Sequence, residues 1–402
     1  MSARTRAPSD LNGFRGRSGQ ARLRMAGRVV HCVGSWVRLA DAFTTVDIQF
    51  AGKPLLSAGD LAVVEALRSR KAKLREGVLL ARYPAPPTRG NGEFARFSWQ
   101  GVGAFLSQRH HAVQVMRRYF IRQGFLEVDT PISAKTSGSD PYAIPVRTQS
   151  GWLITSPEHH MKRLLVGGIP RIFQFAHCSR SNEHGQLHQP EFMMLEWYRA
   201  FAGIEEVMRD TEQLVVAVAR ALGRPSRAPA VRRPKIDLRR PFERITVREA
   251  FVRHAGVSDA IALADGDEAR YFELLLERVE PALKKRARPI FLCDFPVSQA
   301  PLARPSPTDS SVAERFELYI NGVELCNGYG ELTDVQELRR RWRQSRPQRR
   351  GVRAGFDRRL ARAMQEGLPP SGGNALGVDR LVALFCGAPD IASVQAFPAS
   401  QP

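Results

Sequence analysis

The stretch Glu314-Arg-Phe-Glu-Leu-Tyr-Ile-Asn-Gly-Val-Glu-Leu-Cys-Asn-Gly-Tyr-Gly-Glu331 decides how the chain is read. Asn321-Gly322 between two alternating runs is the strongest short-range signal of a two-residue hairpin, because both turn positions require positive φ. With that turn, Ile320 pairs with Val323, Tyr319 with Glu324, and Glu317 with Cys326. Side chains on a strand repeat with period two, so Glu317, Tyr319, Glu324 and Cys326 are expected on one face, the two glutamates as diagonal neighbours. Two carboxylates so placed repel unless they are solvated or share a cation. The segment alone leaves two readings open, a magnesium site that also carries nucleotide phosphates and an exposed polar hairpin face.

Two further patterns lie on either side. Downstream, Gly372-Gly-Asn-Ala-Leu-Gly-Val-Asp-Arg-Leu381 joins a glycine-rich strand to a helix expected over Val378–Cys386. Glycine there lets a ligand approach the backbone, and Arg380 in the first helical turn is placed to reach a phosphate. Such joints are often only packing devices. Upstream, between Arg171 and Tyr198, a polar loop dense in Arg, Asn, Glu and His separates two apolar strands, as in a hairpin whose tip grips a ligand. His177, His184 and His188 have no metal-type spacing and read as hydrogen-bonding residues.

Further out, short β-branched runs with Gly and Asp punctuation over residues 28–82 indicate a small all-β, barrel-like domain. Pro and Gly concentrate just after it, so residues 83–102 are expected to be a linker and 103–402 the main domain. A helix is expected over Phe105–Gln123, ended by Gly124, then an alternating strand Phe125–Pro131. Residues 1–27, Arg- and Ser-rich with Asp10 the only acid, read as a basic, disordered tail.

Sixty Lys and Arg against 40 Asp and Glu give a net charge of +20 over 402 residues, and only Lys53, Lys71, Lys73, Lys135, Lys162, Lys235, Lys284 and Lys285 are lysine. Such a charge suggests an acidic partner, although arginine-rich genomic composition accounts for it equally well. Basic runs at 224–248 and 334–362, the second with an amphipathic helix over Val335–Arg343, are the candidate docking surfaces. Five scattered cysteines without a C-x-x-C pair exclude a disulfide framework and argue against a cysteine zinc site. No apolar run approaches the roughly 18–20 residues that span a bilayer, so a cytoplasmic protein is expected.

Taken together and in this order, the patterns resemble the signature motifs of class II aminoacyl-tRNA synthetases: Phe125–Pro131 motif 1, Arg180–Phe192 motif 2, and Gly372–Arg380 motif 3. With Thr155-Ser-Pro-Glu-His-His-Met-Lys-Arg-Leu164 and Glu324–Leu332, the resemblance covers residues 103–398 and is specific. It is closest to the lysine branch, and there to the elongation factor P (R)-β-lysine ligases, paralogues of lysyl-tRNA synthetase. Residues 28–82 are short for the anticodon-binding domain of a synthetase, and a domain in front departs from the ligase family.

The resemblance implies an α+β fold, an antiparallel sheet flanked by helices, dimeric through motif 1. It implies ATP- and Mg²⁺-dependent activation of lysine or (R)-β-lysine as an adenylate, then transfer to a lysine side chain of elongation factor P. A diverged lysyl-tRNA synthetase that charges tRNA and a non-catalytic nucleic-acid-binding paralogue are the alternatives. By residue, Arg180 would hold the α-phosphate and the substrate carboxylate, with Ser181, Asn182, Glu183, Gln189 and Leu325 along the ATP pocket and Phe192 stacked on adenine. Arg380 would grip the γ-phosphate, with Gly377 leaving room. Glu317 and Glu324 would carry magnesium. Ser156, Pro157, Glu158, Glu196, Tyr198 and Glu331 would surround the amino acid. Motif 2 departs from the common Phe-Arg-x-Glu wording: Ser179 precedes Arg180 and the acid falls one place later, leaving open whether Asn182 or Glu183 meets the nucleotide.

Overall fold

The computed structural model describes residues 5–11, 21–68, 74–136, 143–223, 236–344 and 355–399. The chain divides into two compact units, one within Met1–Ser107 and one within Gln108–Pro402.

The first unit is all β: β1 (Thr5–Arg6), β2 (Ala21–Val33), β3 (Trp36–Ala40), β4 (Thr45–Phe50), β5 (Leu61–Arg68) and β6 (Leu74–Tyr83). The sheet runs β1-β2-β3-β4-β6-β5, and β5 returns to pair with β2, so five strands close on themselves. Period-two alternation sends Met25, Val29, Val37, Leu39, Ile48 and Val64 into the barrel, where all are fully buried. The barrel starts earlier than the expected tail boundary at residue 27. Leu23 and Met25 point inward, and Arg22 and Arg24 interleaved with them gave the segment its tail-like composition. Thr5–Arg6 also pairs in parallel with Arg24 and Met25. Within the expected linker, Ala95–Trp99 forms a helical turn, held where Ser98 Oγ donates to the Asp41 carbonyl at 2.9 Å.

The second unit is built on α1 (Val102–Arg122, in this unit from Gln108), β7 (Leu126–Glu127), β8 (Ser133–Ala134), β9 (Trp152–Leu153), α2 (Glu158–Val166), β10 (Arg171–Ser179), β11 (Glu191–Ala200) and α3 (Ile204–Leu222). It continues with β12 (Glu243–Thr246), α4 (Val247–Ala255), α5 (Ala260–Gly266), α6 (Glu268–Leu274), α7 (Glu280–Lys284) and β13 (Ile290–Pro296). Then come β14 (Val312–Ile320), β15 (Val323–Gly330), α8 (Val335–Gln344), α9 (Arg358–Gly367), β16 (Ser371–Gly377) and α10 (Val378–Cys386). Eight strands form one sheet, β12-β13-β14-β15-β16-β11-β10-β7, antiparallel from β13 to β10 with a parallel strand at each edge. Helices α3 and α10 pack on β11, β15 and β16, and α4 and α5 pack on β13. This is the expected α+β architecture, an antiparallel sheet flanked by helices, with a small β unit before it in the chain.

The hairpin forms at the expected turn, with Asn321 at φ 49° and Gly322 at φ 75°, and with Ile320 opposite Val323 and Tyr319 opposite Glu324. A bulge between Leu318 and Tyr319 then shifts the register by one. Leu318 therefore faces Cys326 and Glu317 faces Asn327, so Cys326 leaves the expected face and Asn327 takes its place.

The basic runs are partly neutralised from within. Arg341 on α8 is buried and donates to the carbonyls of Ala300 and Ala303 at 2.7 Å, which makes it a structural residue. Arg244 pairs with Glu205 and Arg340 with Glu337. Residues 224–235 and 345–354 of these runs lie outside the described residues.

Candidate active site

A cavity of about 940 Å³ opens in the second unit, large for a single-ligand site and roomy enough for a nucleotide beside an amino acid. Ser156, Glu158, Arg180, Glu183, Gln189, Phe192, Glu196, Tyr198, Glu317, Glu324, Leu325, Glu331, Gly377 and Arg380 line it. Three of the expected contacts do not. Pro157 instead occupies the N-cap position of α2, without a side-chain capping bond. Ser181 and Asn182 turn away at the hairpin tip, where Ser181 N donates to the Ile144 carbonyl and Asn182 adopts φ 65°. Glu183 is thus the acidic residue of the motif 2 loop on the wall, 3.6 Å from Arg180.

One end of the cavity is acidic and buried. Glu196 and Tyr198 sit two apart on β11 and share a face, and the Tyr198 hydroxyl donates to Glu196 Oε2 at 2.8 Å. Across the ladder Tyr198 faces Gly373 on β16. A Cβ at Gly373 would lie 2.3 Å from the Tyr198 ring and 2.6 Å from Glu331 Oε1, so glycine makes room for both side chains. Burial, and then the nearby Glu158 carboxylate, push Glu196 up to about 8. Burial also raises Glu331, against the pull of Lys162. Glu196 Oε1 and Glu331 Oε1 are buried without a hydrogen bond among the described residues. A donor-bearing ligand would satisfy both.

The other end is basic. Arg380 enters the first turn of α10, which is fixed in place because Asp379 pairs with Arg109 at 2.5 Å and accepts from Met193 N at 2.9 Å. Its guanidinium donates to the Leu187 carbonyl, reaches Glu324, and meets His188 Nε2 at 2.8 Å. Burial and the neighbouring Arg380 lower His188, which leaves a neutral ring able to accept. The Arg180 guanidinium stands 5.1 Å over the Phe192 ring. A Cβ on Gly377 would meet nothing nearer than Arg380 at 3.5 Å, so this side of the strand faces open space.

The hairpin carboxylates are not equivalent. Glu317 is buried and held by Arg315 Nη2 at 2.5 Å and the Tyr319 hydroxyl at 2.7 Å, whereas Glu324 is partly exposed. Arg315 is two residues before Glu317 on the same strand face, a spacing from which this partner was readable. Glu280 on α7 approaches too, through the Tyr319 hydroxyl at 3.3 Å, and burial followed by the charges of Glu317 and Glu324 pushes it up to about 7. Among the described residues no cluster of three or more His, Cys, Asp or Glu is spaced to cage a metal. Two hard carboxylates, with the buried and unbonded Asn327 Oδ1 opposite Glu317, are of the type that would suit a magnesium ion, which would need waters and phosphate oxygens to complete its shell.

Sequence reasoning missed Lys162. It lies one helical turn after Glu158 on α2, with only 2% of its side chain exposed, and its Nζ bridges Glu158 Oε1 at 2.6 Å and Glu331 Oε2 at 2.5 Å.

A sheet of this topology, with one end of its cavity rich in carboxylates and the other in arginine, is what a class II synthetase-type ligase requires. A family model described as tRNA synthetases class II (D, K and N) matches residues 87–401, and the chain belongs to that family. Within it, the chain is 36% identical over 334 residues to the "Elongation factor P--(R)-beta-lysine ligase" of Edwardsiella ictaluri (strain 93-146), covering 75% of this chain and 97% of that protein. No helix among the described residues is long and apolar enough to cross a membrane.

Proposed function

We propose that the protein activates lysine or (R)-β-lysine with ATP and transfers the aminoacyl group to a lysine side chain of elongation factor P, working as a cytoplasmic homodimer. The observation that carries this is the bipolar cavity. Glu158, Glu196 and Glu331 with Tyr198 gather where a substrate bearing two ammonium groups would sit, and Arg180 and Arg380 gather where phosphates would lie. The relative's name supplies the acceptor and the β-amino acid.

The first step needs no general base. An oxygen of the substrate carboxylate attacks the α-phosphorus, the bond to the bridging oxygen breaks, and pyrophosphate leaves. Arg180 holds the carboxylate and the α-phosphate in line, Phe192 gives the adenine a stacking surface, and Arg380 holds the γ-phosphate. Magnesium at Glu317 and Glu324 would supply neutralisation of phosphate charge. In the second step the neutral acceptor amine attacks the acyl carbon, the acyl–oxygen bond to the phosphate breaks so that AMP leaves, and the amine gives up a proton to solvent.

ATP–pyrophosphate exchange with lysine and with (R)-β-lysine, followed by transfer onto elongation factor P and onto tRNA, tests this reading. Charging of tRNA without modification of the protein would overturn it in favour of a diverged lysyl-tRNA synthetase.

The raised Glu196 also sets a pH dependence. Below about 8 the empty site holds a proton on Glu196, and an incoming ammonium must displace it. The amino-acid KM is therefore expected to fall as pH rises from 6 to 8, by up to about tenfold per unit, and then to level off. Calorimetry at pH 7 in buffers of different ionisation enthalpy should register the released proton, and a KM flat across this range would exclude Glu196 from ammonium binding.

A further inference from the structure

In contact with two wall residues of the cavity, Glu158 and Glu331, lies a buried charged side chain that the mechanism above leaves unused, Lys162. Helix α2 turns His159, Lys162 and Leu165 inward at a spacing of three, so Lys162 occupies a place in an inward stripe where an apolar residue would ordinarily pack. Its Nζ touches Glu158, one turn earlier on the same helix, and Glu331, which follows the end of β15. A glutamate and lysine four apart are common on exposed helices, where the pair contributes little. Here the pair is sealed from water and tied to a second carboxylate from another element. Lys162 is thus the link between two carboxylates that would receive ammonium groups, and it holds α2 to the strand end that carries Glu331.

We propose that Lys162 is a specificity-determining positioning residue, a permanent internal counter-ion clamped between Glu158 and Glu331 that spaces these carboxylates and reserves the remaining negative charge of the pocket for two substrate ammonium groups. The inference rests on the function proposed above and deepens it. With Glu158, Glu196 and Glu331 ionised, the pocket carries three negative charges, and Lys162 reduces these to two. A diamino monocarboxylic acid supplies two ammonium groups to meet them, with its carboxylate at Arg180, while a mono-amino acid of the same length leaves one buried carboxylate unmatched. The arrangement also explains why the ammonium of Lys162 stays charged although buried. Burial works to lower it, but Glu158 and Glu331 outweigh burial and hold it above the usual lysine range.

Lys162→Met keeps most of the unbranched side chain, one heavy atom shorter, and removes the charge. Its amino-acid KM in ATP–pyrophosphate exchange is expected to rise at least about tenfold, while the KM for ATP changes by less than about threefold, and discrimination of lysine against norleucine should shrink. A Lys162→Met enzyme with wild-type KM values and wild-type discrimination would show that the residue only fills space, and would overturn the proposal. Where Lys162→Met is too unstable to assay, Lys162→Ala titrated with propylammonium or with propanol gives the same decision. Recovery of lysine affinity with the ammonium alone supports the counter-ion role, and equal recovery with propanol, or none with either, overturns it. The wild-type control separates this inference from the one beneath it. If the wild-type protein activates no diamino acid, the proposed function itself fails; if it does and Lys162→Met is unaltered, only the role of Lys162 is lost.

Discussion

Arg180→Ala is expected to lower kcat for ATP–pyrophosphate exchange by roughly 10²- to 10³-fold, the usual consequence of removing one preorganised donor aimed at developing charge. In the proposed reaction negative charge builds on the equatorial oxygens of the α-phosphorus as the substrate carboxylate attacks, and Arg180 on the cavity wall would stand where nucleotide and amino acid meet. Its guanidinium is already positioned, over Phe192 on one side and 3.6 Å from Glu183 on the other. A lysine in its place would keep the charge but lose the planar fork that can hold two oxygens at once, so Arg180→Lys should recover only a small part of the rate. Single-turnover measurement of adenylate formation at saturating ATP and amino acid is the decisive assay. A loss confined to KM, with kcat preserved, would mean that Arg180 binds both ground states equally and does not favour the transition state.

The same region shows how far a sequence reading reaches. Asn321-Gly322 names its own backbone conformation, because few other residue pairs accept positive φ twice, so the hairpin and its first two pairs were legible. The bulge between Leu318 and Tyr319 was not. It is a one-residue change that no local composition marks, and it moved Cys326 off the expected face and brought Asn327 onto it. The strand beginning at Ala21 was hidden for a related reason, since alternation of Leu23 and Met25 with arginines reads equally well as a basic tail.

At the site, residues fixed by the ladder were readable: Glu196 and Tyr198 share a face by period two, and Gly373 opposite Tyr198 follows from the pairing of β11 with β16. Loop-tip residues were not. Whether Asn182 or Glu183 reached the cavity depended on backbone geometry at the turn, and the structure puts Glu183 there. Lys162 was missed for the opposite reason. A lysine four residues after a glutamate usually signals an exposed helix face, and only the tertiary fold shows this one to be sealed between two carboxylates.

Those carboxylates give the sharpest prediction on the amino-acid side. Glu331 is fully buried, with its backbone N–H bonded to the Ser371 carbonyl and Oε1 left without a hydrogen bond among the described residues. Glu331→Gln preserves shape and most packing but replaces a charge-assisted bond to an ammonium with a neutral one. Such a bond is worth about 1.5–3 kcal/mol, so the amino-acid KM should rise by roughly 10- to 150-fold. The KM for ATP should stay within about threefold, because in the proposed function the nucleotide is assigned to Arg180, Phe192 and Arg380 rather than to Glu331. The substitution also takes one anionic partner from Lys162, which keeps Glu158 at 2.6 Å. An amino-acid substrate should therefore bind worse in Glu331→Gln through its ammonium group alone, and lysine should lose more affinity than norleucine. Equal losses for lysine and ATP would instead mean that Glu331 holds the cavity together as a whole, and would remove it from the ammonium site.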